Sequence, residues 1–128
     1  MIDSCGWLEF LADGSLAEEY ALYFAEPDEI VTPAIVVYEV SKKVWREQGK
    51  EKALTIAAQM HQTKIVPFDA SLALCAAGVS LRHGLPMADA VVYATGVQYH
   101  CKIVTSDEHF KELPEVIFIP KKPLYGKS

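Results

Sequence analysis

The sequence predicts a single α/β domain, a three-layer α/β/α sandwich with a central, mostly parallel sheet. Short apolar runs rich in β-branched residues alternate with longer stretches of helical spacing, as in folds whose strands are joined by crossover helices. With 128 residues, of which 51% are hydrophobic and 23% charged, the chain is long enough to bury one core. We expect the domain to cover residues 1–120 and residues 121–128 to form a basic C-terminal tail.

Residues 1–31 are predicted to form a strand, two helices and a second strand, in that order. Residues 1–3 end an opening strand, and residues 7–11 have helical spacing. We expect Ser15 to cap a second helix over residues 16–24, because its hydroxyl can accept a hydrogen bond from the first turn. Residues 30–31 then form a short buried strand.

Pro33 decides how the following β-branched stretch is divided. Its ring suits the first position of a helix, and Thr32 before it is a favourable N-cap residue. We therefore predict a helix that begins at Pro33 and continues beyond Val44. Glu39 then lies about two turns into this helix, on a largely apolar side.

The rest of the chain continues the alternation. Gly49 separates two helices, Asp69 caps the next and Gly84 closes it, and Pro86 opens a helix that is apolar on nearly every side and therefore buried. The predicted elements are helices over residues 52–61, 70–83, 88–99 and 107–113, and strands over residues 64–67, 102–104 and 116–119.

Charge and cysteine content narrow the class of protein. The net charge of −5 argues against broad, nonspecific polyanion binding, although an acidic metal pocket would contribute to it. Cys5, Cys75 and Cys101 form no CxxC pair and indicate small apolar residues in a reducing compartment. The N-terminus has no basic region, and no apolar stretch is long enough to span a bilayer. We therefore expect a cytoplasmic protein without membrane attachment.

Four acidic residues carry the strongest functional signal, namely Asp3, Glu39, Asp89 and Asp107. Each follows a predicted strand or lies in the next helix, and in a parallel sheet the carboxyl ends of the strands meet along one edge. Two carboxylates about 5 Å apart repel by roughly 3 kcal/mol at an effective dielectric constant of about 20. A pocket that holds several takes up protons or binds a cation, usually a divalent metal ion.

Each acid also has a purely structural explanation. Asp3 suits a turn after a strand, and Asp89 and Asp107 suit helix N-termini, where the helix dipole favours an anion. Glu39 needs a partner on its apolar side, and Lys43, four residues later, is available. The four acids together favour a functional site over these separate explanations.

At these residues the chain resembles the PIN-domain family of metal-dependent ribonucleases, over nearly its whole length. The segments similar to the four family motifs are Met1-Ile2-Asp3-Ser4, Val36-Val37-Tyr38-Glu39-Val40, Leu85-Pro86-Met87-Ala88-Asp89-Ala90 with Ala94-Thr95, and Val104-Thr105-Ser106-Asp107 with Phe110. The third is the most specific. Family members of this size mostly resemble the toxins of VapBC-type toxin–antitoxin pairs.

The resemblance implies an endoribonuclease with Mg²⁺ or Mn²⁺ as cofactor. Asp3, Asp89 and Asp107 would hold one or two ions directly or through water, and Glu39 would bind a metal or orient the attacking water. The resemblance also implies an RNA substrate, a homodimer, and a small antitoxin protein that keeps the enzyme inactive. The alternative is a catalytically inactive family member that serves as a protein-binding module.

Further residues are expected to support this chemistry. Ser4 and Thr105 would hold the carboxylates in position. Lys42, Lys43 and Arg46 form either a solvated helix face or contacts to RNA phosphates.

The sequence departs from the family pattern at two places. Many members carry a further acid two residues after the fourth, where this chain has His109 beside Glu108. The histidines all have surface or helix-end explanations, and no two have the spacing of a ligand pair. Cys5-Gly6-Trp7 is an unusual continuation of the first motif, and Trp7 belongs to the core or stacks on a base beside the cleft.

A signalling receiver domain has similar length and topology, but it needs paired acids after the first strand. This chain has only Asp3 there, and Asp69 after the 64–67 strand is in a capping position.

Overall fold

The computed structural model describes residues 1–122, so the predicted tail from residue 123 onward lies outside the described residues. Lys122 at the end of this range pairs with Glu19, with 3.4 Å between Nζ and Oε2. The helices are α1 (Ser4–Leu11), α2 (Ala17–Ala21), α3 (Ala34–Gln48), α4 (Lys50–Met60), α5 (Ala70–His83) and α6 (Met87–Tyr99). The strands are β1 (Val31–Pro33), β2 (Lys64–Val66), β3 (Ile103–Thr105) and β4 (Val116–Phe118).

The strand pairs are short and parallel. β1 pairs with β2, β3 pairs with β4, and Ile2 forms a parallel bridge to Val104 in β3. Parallel strands need crossover connections, and α-helices lie between β1 and β2 and between β2 and β3. This arrangement confirms the predicted α/β fold class. Between β3 and β4 the predicted helix over residues 107–113 was wrong, because only a 3-10 turn over Glu108–Phe110 forms there.

The centre of the core is α6. Seven consecutive residues, 90–96, are buried, as the apolar composition on all sides predicts. The helix contacts α3, α5 and β1. A Cβ on Gly96 would approach the Cys101 carbonyl oxygen and Ile103 to 3.1 Å, so this glycine allows the helix to pack tightly against the chain that enters β3.

Local signals placed most helix ends correctly. Asp69 Oδ1 accepts a hydrogen bond from the Leu72 N–H at 2.9 Å, which caps α5. Gly84 ends the same helix in a left-handed conformation with a φ of 69°. Gly49 separates α3 from α4, as predicted.

The predicted start of α3 was wrong by one residue. Pro33 is the N-cap and the last residue of β1, while Thr32 has extended backbone within the strand. The cause is tertiary, because Thr32 pairs in register with Ile65 and its hydroxyl bonds the Thr63 hydroxyl at 2.7 Å. Pairing with β2 therefore keeps Thr32 in the strand, although its local preference is for the N-cap of the helix.

The predicted cap of the second helix was also wrong. α2 begins after Leu16, and Ser15 makes no capping bond to it. The Leu16 N–H instead donates to Oε1 of Glu9 in α1 at 2.7 Å. The side-chain acceptor at the start of α2 therefore comes from the preceding helix and not from Ser15. The helix is also shorter than predicted and continues as a 3-10 turn over Leu22–Phe24.

Trp7 belongs to the core, which excludes the alternative of an exposed stacking platform. Its side chain is buried and packs edge-on against Phe24, with 4.8 Å between ring centres. The three cysteines are free thiols, half-buried rather than fully buried. Over residues 1–122, none of the helices combines the length and apolar character that crossing a membrane requires.

Gly6 in α1 generates a stability prediction. A methyl group there would lie 2.6 Å from Ile2 Cγ2 and would contact the ring of Tyr20, and both neighbours are buried. We expect Gly6→Ala to lower the free energy of unfolding by about 1–3 kcal/mol, as overpacking does. Gly78→Ala in α5 is the matched control, because its Cβ meets nothing within 4 Å, and it should be neutral or stabilising by up to about 1 kcal/mol. Urea unfolding measures both, and equal losses in the two variants would contradict the close approach.

Candidate active site

The parallel bridge between Ile2 and Val104 brings the start of the chain beside β3. Asp3 follows Ile2 directly and is the N-cap of α1. Asp107 lies two residues beyond the end of β3 and is the N-cap of a 3-10 turn over Glu108–Phe110. Residues separated by more than a hundred positions are therefore neighbours at the carboxyl edge of the strands, as predicted.

Asp3 is the most deeply buried of the four acids, with 4% of its surface exposed. Its Oδ1 accepts from the Ser4 N–H at 2.8 Å and its Oδ2 from the Thr105 hydroxyl at 2.9 Å. The pKa of the carboxyl is raised to about 6, chiefly by burial and with a smaller contribution from the charges of Asp89 and Glu39, despite these hydrogen bonds. The ionised form of Asp3 therefore needs compensation from a nearby positive charge.

Thr105 links the first acid to the fourth. While its hydroxyl donates to Asp3, the same oxygen accepts from the Asp107 N–H at 3.0 Å. The side chain is fully buried at the end of β3. Thr105 thus occupies the supporting position that the sequence suggested for it.

A polar network behind Asp3 was missed at the sequence level. Cys5 Sγ lies 3.5 Å from Thr105 Oγ1 and accepts from the Ser106 N–H at 3.4 Å. The Ser106 hydroxyl bonds the Tyr20 hydroxyl at 2.7 Å. Burial raises the pKa of both the Cys5 thiol and the Tyr20 phenol, so both remain neutral. The signal was the position of Cys5 in the first turn after Asp3, which we interpreted only as a small apolar residue.

Glu39 lies in the second turn of α3 and is half-buried. Burial raises its pKa, the Ser4 side chain opposes this shift, and the charges of Asp89 and Asp107 add to it. Lys43, the partner that a structural explanation required, instead bonds Glu47 Oε2 at 2.8 Å. The structural explanation of Glu39 by an ion pair with Lys43 is therefore wrong.

His109, which stands where many family members carry a further acid, lies beside Asp89 and Asp107. Its Nδ1 is 2.7 Å from Asp89 Oδ2 and 3.2 Å from Asp107 Oδ1. Its backbone N–H donates to Asp107 Oδ1 at 2.9 Å. The hydrogen bond to Asp89, followed by the charges of Asp107 and Asp89, raises the pKa of the imidazole. His109 is exposed, in agreement with its surface explanation, but its ring also contacts two of the acids. The available signal for this second feature was its position two residues after Asp107.

The donor set is suited to a divalent cation. Asp89, in the first turn of α6, Asp107 and His109 each offer a ligand atom, and these atoms lie within 4.8 Å of one another. The pKa of Asp89 is raised by burial and then by the charge of Asp107, as expected where carboxylates crowd together. A cation would relieve this repulsion, and carboxylate oxygens suit hard ions such as Mg²⁺ and Mn²⁺.

The three basic residues of α3 divide between two surfaces. Lys42 and Arg46 line one groove together with the exposed rings of Tyr38 and Trp45. The Lys42 ammonium lies 5.6 Å from the centre of the Tyr38 ring. Lys43 lines a different groove, between α3 and α1, where it is paired with Glu47.

Comparison with known proteins gives one family and several similar folds. The PIN domain family model matches residues 1–116. The structure is similar to a toxin–antitoxin complex from Klebsiella pneumoniae, with a TM-score of 0.75, 14% identity and coverage of 91% of this chain and 93% of that chain. It is also similar to Mycobacterium tuberculosis VapC20, described as a sarcin-ricin loop cleaving toxin, with a TM-score of 0.73, 18% identity and coverage of 95% and 98%.

A third similar structure is VapBC2 from Rickettsia felis bound to a promoter DNA fragment, with a TM-score of 0.69, 16% identity and coverage of 94% and 96%. At such identities these three likenesses establish the fold. A comparison with curated protein sequences gave no significant match.

The raised pKa of Asp3 predicts how stability depends on pH in the absence of metal. Because the folded carboxyl titrates at about 6 and its ordinary pKa is 3.8, the folded state binds more protons between these values. The stabilising effect of the protonated carboxyl is therefore lost as the pH rises from about 4 to 6, a loss on the order of 3 kcal/mol. Glu39 and Asp89, whose pKa values are also raised, act in the same direction.

Urea unfolding with a chelator present, between about pH 4 and pH 7, measures this effect. We expect a flatter profile for Asp3→Asn, whose amide does not titrate. Identical pH profiles for the variant and the unmodified chain would contradict the burial argument for Asp3.

Proposed function

The chain belongs to the PIN domain family, and from this premise we propose that it is a metal-dependent endoribonuclease that hydrolyses RNA phosphodiester bonds. The observation that carries the proposal is the meeting of Asp3, Glu39, Asp89 and Asp107, from four distant segments, in one partly buried site. Separate structural explanations would not require the charges of Asp89 and Glu39 to raise the pKa of Asp3, or the charge of Asp107 to raise those of Glu39 and Asp89.

Each residue has a role in the proposed reaction. Asp89 and Asp107 would hold Mg²⁺ or Mn²⁺ through their partly exposed carboxylates. The buried carboxylate of Asp3 would contact the ion directly or through a water molecule. When bound, such an ion acidifies a water molecule, polarises a phosphoryl oxygen and offsets charge during in-line displacement. Glu39 would bind the ion or orient the attacking water. Ser4 and Thr105 would keep Asp3 fixed, since Ser4 donates a backbone N–H and Thr105 its hydroxyl.

The biological setting proposed is that of a toxin held inactive by a cognate antitoxin protein. Two of the similar structures are described as toxin–antitoxin or VapBC assemblies, and VapC20 is described as a sarcin-ricin loop cleaving toxin. The chain covers at least 93% of each of these structures, so it has the size of the whole domain. A homodimer belongs to the same proposal, because closed two-fold assemblies are the commonest in soluble proteins.

Lys42 and Arg46 are the proposed contacts to RNA phosphates. They lie on the same helix as Glu39, and exposed aromatic rings accompany them, a combination typical of single-stranded nucleic-acid binding. Lys43 was part of the same hypothesis, but its ammonium is engaged by Glu47 on a different surface. We therefore assign Lys43 a smaller share of phosphate binding than Lys42.

Asp89→Asn tests the catalytic proposal. The substitution preserves shape and a hydrogen-bond acceptor for His109 but removes the charge that would hold the ion. RNA cleavage by the purified chain, freed of any partner, would be measured with Mg²⁺, with Mn²⁺ and with chelator. We expect cleavage to require metal and the variant to lose at least about a hundredfold in rate, since metal stabilisation of the transition state is worth several kcal/mol.

Asp69→Asn is the matched control, because it makes the same chemical change at the N-cap of α5, where asparagine caps equally well. It should retain full cleavage. An active Asp89→Asn protein would refute the catalytic proposal. Absence of cleavage together with absence of metal binding by titration would favour the alternative, a catalytically inactive PIN-like protein-binding module.

Lys42→Ala and Lys43→Ala test the RNA-binding surface as a pair. Loss of one phosphate contact should reduce the slope of log affinity against log salt by about 0.7 for single-stranded RNA. We expect this change for Lys42→Ala and a smaller one for Lys43→Ala, whose side chain is engaged by Glu47. Filter binding of RNA to the Asp89→Asn background, over a range of salt concentrations, measures both. Equal slopes for Lys42→Ala and the background protein would remove Lys42 from the binding surface.

A further inference from the structure

We propose that His109 is a metal ligand through Nδ1, alongside Asp89 and Asp107, and that this nitrogen donor makes the site prefer a transition-metal ion to Mg²⁺. The inference rests on the proposed function, because it specifies the cofactor of the same site. It concerns His109, to which the proposed reaction assigns no role.

The distances around His109 are those of a ligand set. Two ligand atoms at adjacent positions of an octahedral ion, with bonds near 2.1 Å, are roughly 3 Å apart. His109 Nδ1 lies 2.7 Å from Asp89 Oδ2 and 3.2 Å from Asp107 Oδ1, on either side of this value. The three residues therefore offer ligand atoms within 4.8 Å of one another, close enough to share one ion.

The backbone fixes the imidazole in this position. Asp107 caps the 3-10 turn by accepting the His109 N–H, and Phe110, the next residue, is completely buried. The Phe110 N–H also donates to the Asp107 carbonyl oxygen at 3.0 Å. Because the neighbouring residues Asp107 and Phe110 are held in place, the His109 ring contacts the carboxylates without a rearrangement of the chain. This lowers the conformational cost of binding an ion.

The chemistry of the donor determines which ion is favoured. Mg²⁺ is a hard ion that takes oxygen ligands, whereas imidazole nitrogen suits first-row transition metals. Replacement of an oxygen donor by a neutral nitrogen also leaves less negative charge around the ion. A site with two carboxylates and one imidazole should therefore favour Mn²⁺ or a later transition metal over Mg²⁺.

A different role for the same geometry is also testable. A protonated imidazole between two carboxylates offsets their charge without any metal, and it would then move aside or remain uncoordinated when an ion binds. The two roles differ in one observable, which is whether His109 nitrogen is bonded to the ion.

Pulsed electron paramagnetic resonance of the Mn²⁺-loaded chain measures that bond directly, because a coordinated ¹⁴N nucleus modulates the echo. We expect nitrogen modulation in the unmodified protein and none in His109→Gln or His109→Asp. His61→Gln is the matched control and should retain the modulation, since His61 bonds the Ala57 carbonyl oxygen at the end of α4. Circular dichroism would show that each variant is folded.

Calorimetric titration with Mn²⁺ and with Mg²⁺ tests the selectivity. His109→Gln should weaken Mn²⁺ binding at least about tenfold, because even the outer partner of a ligand typically contributes that much. His109→Asp restores an oxygen donor and should shift the ratio of affinities toward Mg²⁺.

The outcomes separate this inference from the proposed function. Mn²⁺ binding without nitrogen modulation, with unchanged affinity in His109→Gln, would overturn the role of His109 and leave the metal-dependent nuclease intact. Failure of the unmodified chain to bind Mn²⁺ or Mg²⁺ would overturn both. Nitrogen modulation that is lost only in the His109 variants, with a preference for Mn²⁺, would support the inference.

Discussion

The site depends on the parallel pairing of Ile2 with Val104, which holds the first residues of the chain beside β3. A single bridge would be a weak anchor on its own, but the contacts around it act together. The Thr105 hydroxyl donates to Asp3, and the Asp107 N–H donates to Thr105 Oγ1. The position of the first acid and that of the fourth are therefore set by the same strand end, and a shift in the register of this pairing would separate them.

The acids are held together at a cost in free energy that other parts of the fold must offset. Burial raises the pKa of Asp3, Glu39 and Asp89, so in each case the surroundings oppose the charged form at neutral pH. α6, which carries Asp89 at its start, is buried and largely apolar over seven consecutive residues, and this burial supplies part of the compensating stability. This combination is typical of functional sites, where local strain persists because the rest of the domain is well packed.

Sequence reasoning was reliable where the signal was local. The caps at Asp69 and Gly84 follow from residue chemistry within one turn, and the alternation of strands and helices follows from periodicity. It failed where a distant partner decided the outcome. Thr32 remains in a strand because it pairs with Ile65 and its hydroxyl bonds Thr63, and the side-chain acceptor at the start of α2 comes from Glu9 rather than Ser15. The sequence also left the role of His109 open, since only the folded chain brings Asp89 Oδ2 within 2.7 Å of its ring nitrogen.

The two sides of the site differ in how freely their carboxylates can take a new ligand. Both oxygens of Asp3 already accept hydrogen bonds from the protein, and its side chain is buried, so its geometry is fixed before any ion arrives. Asp89 and Asp107 are partly exposed and share His109 as a neighbour. A cation therefore has more direct access to the Asp89 side, while Asp3 contributes mainly its charge and its remaining lone pairs. The buried charge of Asp3 therefore makes the binding of a cation favourable, and the donor atoms of the exposed residues determine which ion is preferred.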